Sequence, residues 1–137
     1  MNTKVKWISG MKMLATSGTG HQVPMDGPEN FGGENSGSRP MEMLLMGLGG
    51  CTTVDVISIL EKMKEPVQSC ECEISANRAE DHPKIFTDIH IHFILLGSEL
   101  NPQKVQKAIT LSAEKYCSAS MMLNKSATIT HDFEIKS

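Results

Sequence analysis

The chain has 137 residues, 39% of them hydrophobic, which is enough for one domain with its own core, and we predict a single domain over residues 1–137. Its formal net charge of −3 arises from 16 acidic and 13 basic residues without long runs of one sign, so neither nucleic acid nor a membrane is expected as a partner. The first residues of the sequence lack the apolar stretch of a secretory signal, and no segment long enough to span a membrane is free of polar residues. We therefore expect a cytoplasmic protein.

The N-terminal part of the chain predicts a small meander followed by a loop. In residues 3–25, apolar and polar side chains alternate between glycines, a pattern typical of short strands joined by turns. Residues 27–38 are rich in Gly, Ser, Asn and acidic side chains, and they contain too little apolar surface to form a core element. We therefore predict a mobile loop there.

A long apolar helix is predicted to begin at Pro40 and to end near Met63. Its side chains are apolar on nearly every side, which is typical of a helix buried all round. Three glycines interrupt it, and each costs up to about 1 kcal/mol relative to alanine. We expect a break or bend just before Cys51 at these residues: Gly47, Gly49 and Gly50.

The rest of the chain predicts a hairpin, helices and a last strand. Residues 67–78 and 84–96 alternate in polarity on either side of a turn, as two strands with one buried face do. An N-cap asparagine and a proline open a second helix, predicted over 102–116, and further helical turns follow a kink near Cys117. Residues 127–136 end the chain as a strand, so the order of elements predicts an α+β protein.

The hairpin carries the residue types of a Cys2His2 zinc site: Cys70, Cys72, His90 and His92. Matching the apolar faces of the two strands directs both cysteines inward and both histidines outward. A tight turn at Asp81 and His82 would then put His90 opposite Glu73 and His92 opposite Glu71, as surface pairs. We therefore expect no metal ion, and we expect these two cysteines to be small core residues.

Cys51 and Cys117 differ from the other two cysteines because each is predicted at the beginning of a helix. Unpaired amides and the helix dipole at such a position favour the thiolate, which is the nucleophilic form of cysteine. Two inert buried thiols are the alternative. The local sequence leaves both interpretations open.

Two segments of the chain resemble the OsmC/Ohr superfamily, and most closely its YhfA-like branch: SRPMEMLLMGLGGCTTVDVISIL and LSAEKYCSASMMLNKSATITHDFEI. The resemblance covers essentially the whole chain, with both cysteine segments and the hairpin in the same order. It implies an OsmC-like fold, in which antiparallel sheets wrap around buried central helices in an intertwined homodimer.

The resemblance also implies a chemistry, since well-studied members of the superfamily are thiol peroxidases acting on organic hydroperoxides. Carried onto this chain, Cys51 would attack the peroxide and become a sulfenic acid. Cys117 would then form a disulfide with it, which a dithiol reductant would reduce. No cofactor is expected.

The chain departs from the pattern of these peroxidases in the groups that activate the thiolate. They use an arginine from the N-terminal strands and a glutamate ten positions before the cysteine. Here that position is Met41, with Glu42 next to it, and residues 1–38 contain no arginine. Arg39 is the candidate cation, with Lys12 a second one, and the glutamate reaches the cysteine only if the backbone turns at the glycines.

The leading hypothesis is an OsmC-like redox protein, a cysteine-based hydroperoxide reductase with Cys51, Cys117, Glu42 and Arg39 as its catalytic residues. The alternative is a noncatalytic dimer that binds an apolar ligand in the vestigial pocket. A third possibility is a structural or partner-binding dimer with no pocket at the first cysteine.

Overall fold

Six strands and three α-helices follow one another along the chain in a computed structural model that describes all 137 residues, Met1–Ser137. The mixture of two sheets with helices confirms the α+β class. The chain divides into two compact units, Met1–Met46 and Gly47–Ser137. The single domain expected from the chain length stays a prediction.

The first unit begins with the predicted meander. Strands β1 (Thr3–Ser9), β2 (Lys12–Ser17) and β3 (Gln22–Met25) pair antiparallel in chain order. Gly10 lies in the turn between β1 and β2 with φ of 53°, a left-handed conformation that glycine adopts without steric cost.

The loop after β3 is organised around the buried carboxylate of Asp26. It accepts hydrogen bonds from the Ser36 hydroxyl at 2.6 Å and from the backbone amides of Gly27, Glu34 and Ser36 at 2.7, 3.0 and 3.2 Å. Residues 27–38 therefore form a loop, as predicted, with one short 3₁₀ turn at Glu29–Phe31, and these hydrogen bonds give it a defined backbone conformation. Its composition revealed the lack of apolar surface, but not the single carboxylate that satisfies its backbone amides.

The same hydrogen bonds, that of the Ser36 hydroxyl foremost, hold the pKa of Asp26 well below its ordinary value of 3.8. A carboxyl whose pKa is lowered by folding stabilises the folded state above its unfolded pKa. This contribution is lost as the pH falls through the lower, folded pKa. We therefore expect the loop to stay ordered through mildly acidic pH and to loosen only in strong acid.

Removal of the carboxylate in Asp26→Ala is expected to speed hydrogen exchange of the Glu34 and Ser36 amides roughly tenfold or more, since each loses its acceptor. Asp26→Asn keeps one acceptor oxygen and should give an intermediate rate. Glu29→Ala, in the same loop, serves as the control and should leave these amides unchanged. Equal exchange in Asp26→Ala and the unaltered protein would contradict this role of the carboxylate.

Helix α1 (Pro40–Lys62) is continuous, so a break before Cys51, one of the two predicted alternatives, is wrong, while a bend stays a prediction. Its first turn is well determined by sequence, because proline at the first helical position has a preset φ. The Arg39 amide donates to Glu42 Oε1 at 2.8 Å, as the acidic residue of a capping box accepts.

One glycine of α1 allows the helix to pack closely against a strand. A side-chain carbon at Gly49 would lie 3.0 Å from Ile74 Cδ1 and 3.1 Å from Cys72 Sγ, closer than such carbons normally approach. The helix therefore approaches a neighbouring strand at a point where alanine would crowd it. This close packing offsets the helix propensity that glycine loses.

Helix α1 is not buried all round, as the apolar sequence had predicted. One face is buried, at Leu48, Thr52, Val56 and Leu60. Other apolar side chains of the helix are exposed, including Val54 at 69%. By length and composition alone α1 is apolar enough to cross a membrane, a property shared with the core helices of soluble proteins.

The second unit contains a sheet of order β4-β5-β6, formed by β4 (Val67–Arg78), β5 (Phe86–Gly97) and β6 (Thr128–Lys136). Strands β4 and β5 form the predicted antiparallel hairpin, and β6 pairs parallel to β5. Alternate residues of β5 form the centre of the core: Ile89, Ile91, Phe93 and Leu95. Each is nearly or fully buried, which agrees with the one apolar face predicted for this strand.

The register of the hairpin differs from the predicted one. His92 lies opposite Glu73, and His90 opposite Ser75. The pairing of Arg78 with Phe86 is already one residue away from the predicted register, and a bulge between Asn77 and Arg78 shifts it by one more. The predicted pairs of His90 with Glu73 and of His92 with Glu71 are therefore wrong.

Both histidines instead contact an acid on β6. Asp132 Oδ1 lies 2.9 Å from His90 Nε2 and 2.6 Å from His92 Nδ1. The Asp132 contact, with a smaller effect of Glu134, raises the pKa of His92. Cys72 belongs to the opposite face of the sheet, where its thiol contacts the Gly49 carbonyl oxygen at 3.7 Å, so these cysteines and histidines do not converge.

Helix α2 (Pro102–Leu111) begins as predicted, with the Asn101 side chain accepting from the amides of Gln103 and Lys104 at 2.9 and 3.3 Å. It ends five residues before the predicted end at Tyr116. The chain then widens into a π-helical turn (Ser112–Tyr116) and continues into α3 (Ser118–Leu123).

Candidate active site

The two cysteines singled out by sequence lie in different local settings. Cys51 lies in the middle of α1 and not at a helix beginning, so that prediction is wrong. The helix dipole acts mainly at the first turn and gives this thiol little support. Cys117 is the N-cap residue of α3, as predicted, and its sulfur accepts from the Ser120 amide at 3.4 Å.

The fold brings the Cys51 and Cys117 thiols together although they are 66 positions apart in sequence. They are close enough for Cys51 to raise the pKa of Cys117, and neither is in a disulfide. Cys51 is partly exposed, whereas Cys117 is fully buried. One cysteine of the pair is therefore partly exposed, and its neighbour is buried.

Burial is the main reason that the pKa of Cys117 lies above its ordinary value of 9.0. The Ser120 hydroxyl and amide oppose this effect because both favour the thiolate, while the neighbouring Cys51 adds to it. Near neutral pH, Cys117 is therefore a neutral thiol. Such a thiol is a poor first nucleophile but can still react once its neighbour has been oxidised.

A buried chain of hydroxyl groups next to the cysteines was not predicted from sequence. The Ser112 hydroxyl donates to Asp55 Oδ2 at 2.9 Å and lies 2.9 Å from the Thr52 hydroxyl. Thr52 follows Cys51 on α1, and the Cys117 amide donates to the Ser112 carbonyl oxygen at 2.8 Å. One sign was present in the sequence, since Ser112 occupies an apolar position of the helical spacing, where a buried hydroxyl requires a partner.

A cleft of about 420 Å³ lies beside this chain of hydroxyls. Its walls are partly apolar, from Ile59, Met63 and Tyr116, and it also includes Asp55 and Lys62. Neither of the two paired cysteines lines it. This cleft is therefore not the apolar pocket expected at Cys51, and that pocket stays a prediction.

The predicted activating residues make contacts within the first unit. Glu42 accepts from the backbone amide of Arg39, whose guanidinium donates to Asn35 Oδ1 at 2.5 Å and to the Asp26 carbonyl oxygen at 3.4 Å. Lys12 forms an ion pair of 2.6 Å with a loop glutamate. The continuous helix lacks the backbone turn that was expected to carry the glutamate to Cys51. The activating roles of Glu42 and Arg39 stay predictions.

Comparison with known proteins gives a consistent family assignment. Residues 33–132 match the family described as OsmC-like protein. Protein YhfA of Escherichia coli strain K12 is 45% identical over 138 residues, which cover 98% of each chain. These matches confirm the family suggested by the two cysteine segments.

Solved structures confirm the fold. A hypothetical protein from Aquifex aeolicus VF5 has a TM-score of 0.83 at 28% identity, over 99% of this chain and 97% of that one. The organic hydroperoxide resistance protein OhrB of Bacillus subtilis has a TM-score of 0.66 at 17% identity, over 98% of both chains. At that identity the second likeness concerns the fold alone.

Proposed function

The chain belongs to the OsmC-like protein family, and on that basis we propose that it is a thiol-dependent peroxidase that reduces organic hydroperoxides through Cys51 and Cys117. The observation that supports this proposal most is the proximity of the two cysteines, one partly exposed and one buried. Two cysteines held together in this way can cycle between a dithiol and a disulfide.

The proposed reaction has three balanced steps. The Cys51 thiolate attacks the outer oxygen of the hydroperoxide, the O–O bond breaks, and the alcohol leaves with a proton while the sulfur becomes a sulfenic acid. The Cys117 sulfur then attacks the oxidised sulfur, and water departs as the disulfide forms. A dithiol reductant exchanges with this disulfide, restores both thiols and is itself oxidised to a disulfide.

Arg39 and Glu42 are the proposed activating residues. Arg39 is one of only two arginines in the chain, and the other, Arg78, donates to a backbone carbonyl in the hairpin. A guanidinium can stabilise both a thiolate and a departing oxygen, which a lysine does less well. Because both residues are already engaged locally, we propose that they act on Cys51 only after their present contacts rearrange.

We also propose a cytoplasmic homodimer. Three elements of the chain expose large apolar side chains that a monomer would rarely leave in water, and we propose that these elements form the dimer contact. On β1, Trp7 is 68% exposed; on α1, Val54 is 69% exposed; and on α3, Met122 is 75% exposed. A second copy of the chain is the proposed partner for these elements, and a reducing compartment would keep the four cysteines free.

The experiment that tests the peroxidase is direct oxidation of the reduced protein by cumene hydroperoxide. We expect two thiols to be lost for each peroxide consumed, with Cys51 and Cys117 recovered as one disulfide-linked pair of peptides in mass spectrometry. Protein alkylated beforehand is the control and should consume no peroxide. Thiols that stay intact over the time of uncatalysed oxidation would contradict the proposal.

A noncatalytic ligand-binding dimer is the second candidate. It is favoured by the cleft of about 420 Å³ with partly apolar walls that neither cysteine of the pair lines. This candidate predicts that a fluorescent apolar probe binds equally well before and after both cysteines are replaced by serine. The peroxide experiment would then show inert thiols.

A further inference from the structure

We propose that Asp55 and Ser112 are positioning residues, which hold Cys117 against Cys51 through a directed chain of hydrogen bonds and so promote closure of the disulfide. This inference takes its purpose from the proposed function, since it concerns the same pair of cysteines. It gives a structural role to two residues that take no direct part in the thiol chemistry or in its activation.

The direction of the hydrogen bonds follows from the number of protons available. The Ser112 hydroxyl has one hydrogen, which it donates to the carboxylate of Asp55, a group that only accepts when ionised. The hydroxyl of Thr52, 2.9 Å away, must therefore be the donor to Ser112. The chain runs from Thr52 through Ser112 to Asp55, and all three groups are satisfied.

Ser112 connects the two cysteine-bearing segments by its side chain and its backbone together. Its side chain bonds two residues of α1, of which Thr52 is the immediate neighbour of Cys51. Its carbonyl oxygen accepts from the amide of Cys117 at 2.8 Å. Both Ser112 and Thr52 are fully buried, so water does not compete for these bonds.

The backbone bond matters because it closes a π-helical turn. The amide of Cys117 bonds a carbonyl five residues earlier, whereas a regular α-helix would bond four residues back. A π turn is less favourable than an α turn and persists where the surroundings maintain it. If Ser112 were released, a return to α geometry would rotate Cys117 by about 100° around the helix axis, away from Cys51.

Asp55 is the residue that fixes the orientation of Ser112. No cation forms an ion pair with its carboxylate, so the serine hydroxyl is its only hydrogen-bonding side-chain partner. Asp55 is also only partly buried, which makes it the better residue to change. Asparagine keeps an acceptor oxygen at the same place, whereas alanine removes it.

The test measures disulfide closure without peroxide. Reduced protein is equilibrated with reduced and oxidised glutathione, in which one oxidised glutathione becomes two reduced molecules as the Cys51–Cys117 bond forms. The linked peptides are quantified by mass spectrometry. The variants are Ser112→Ala, Asp55→Ala and Asp55→Asn, with Thr110→Val as a matched control because its hydroxyl lies outside the chain.

We expect Ser112→Ala and Asp55→Ala to lower the equilibrium constant for closure by roughly tenfold, the effect of one lost hydrogen bond. Asp55→Asn should stay within about threefold of the unaltered protein, and Thr110→Val should equal it. Thermal unfolding of the reduced variants separates this effect from a general loss of structure. If Ser112→Ala fails to fold, the two Asp55 variants decide the result.

Equal closure in Asp55→Ala and the unaltered protein would overturn the inference, as would a loss in Asp55→Asn as large as in Asp55→Ala. The inference and the peroxidase can fail separately. Suppose that the thiols do not react with cumene hydroperoxide but form the disulfide with glutathione, with the variants in the expected order. That result would refute the peroxidase alone. Rapid oxidation by peroxide with unaltered closure in Asp55→Ala would refute only the positioning role.

Discussion

Replacement of Cys51 by serine is expected to abolish the reduction of cumene hydroperoxide, by at least about three orders of magnitude, because removal of a catalytic nucleophile commonly costs that much or more. Cys117→Ser should behave differently. Its Cys51 still reacts once with peroxide, but the sulfenic acid has no second thiol to attack it. Turnover should therefore stop after one equivalent, and mass spectrometry should find one added oxygen and then, at higher peroxide, two.

Cys70→Ser is the matched control for these two variants. Burial raises the pKa of Cys70 to about 11, so it is a neutral thiol on the sheet and should not contribute to turnover. Normal peroxide consumption by Cys51→Ser would show that another group is the nucleophile. Full turnover in Cys117→Ser would instead show that Cys117 is not required for the catalytic cycle, and Cys51 would still be the proposed nucleophile.

The second large effect concerns assembly: Val54→Glu is expected to convert a homodimer into monomers. In the single chain Val54 is 69% exposed, so glutamate costs little there. In a homodimer that covers α1, the same change buries an unpaired charge in each subunit, at roughly 3 kcal/mol or more. Dissociation should become at least about 100-fold more favourable, as measured by analytical ultracentrifugation over a range of concentrations.

Ile85→Glu provides the comparison, because it places the same charge at a 45% exposed apolar residue of the hairpin turn. It should leave the association state unchanged. A dimeric Val54→Glu protein would exclude α1 from the interface. If the unaltered protein is monomeric at high micromolar concentration, the proposal of a homodimer is wrong.

Local sequence patterns predicted the structure correctly where residues close together in the sequence determine it. The start of α2 followed from Asn101 and Pro102, since an N-cap and a proline act on the adjacent turn. The β4–β5 hairpin followed from alternating polarity. Its register did not follow, because the total shift of two residues keeps the same side chains on each face and leaves that alternation unchanged.

The candidate site was less accessible to sequence because its parts meet across long separations. The pairing of Cys51 with Cys117 came from resemblance, and neither segment alone indicated it. The bond between Thr52 and Ser112 joins residues 60 positions apart, and no periodicity encodes such a contact. The continuous α1 was mispredicted for a related reason, because the close packing that compensates for Gly49 involves a different strand.

The π-helical turn at Ser112–Tyr116 has a consequence for the alignment of relatives. A π turn contains one residue more than the α-helical path between the same ends. A relative without it would therefore align with a one-residue gap between α2 and the second cysteine. The identities of the residues around that cysteine could be well preserved while the thiol faced another direction. Relatives that have no gap here and also have a serine at the position of Ser112 would be expected to share the orientation of this cysteine. Relatives with the gap would share only the cysteine itself.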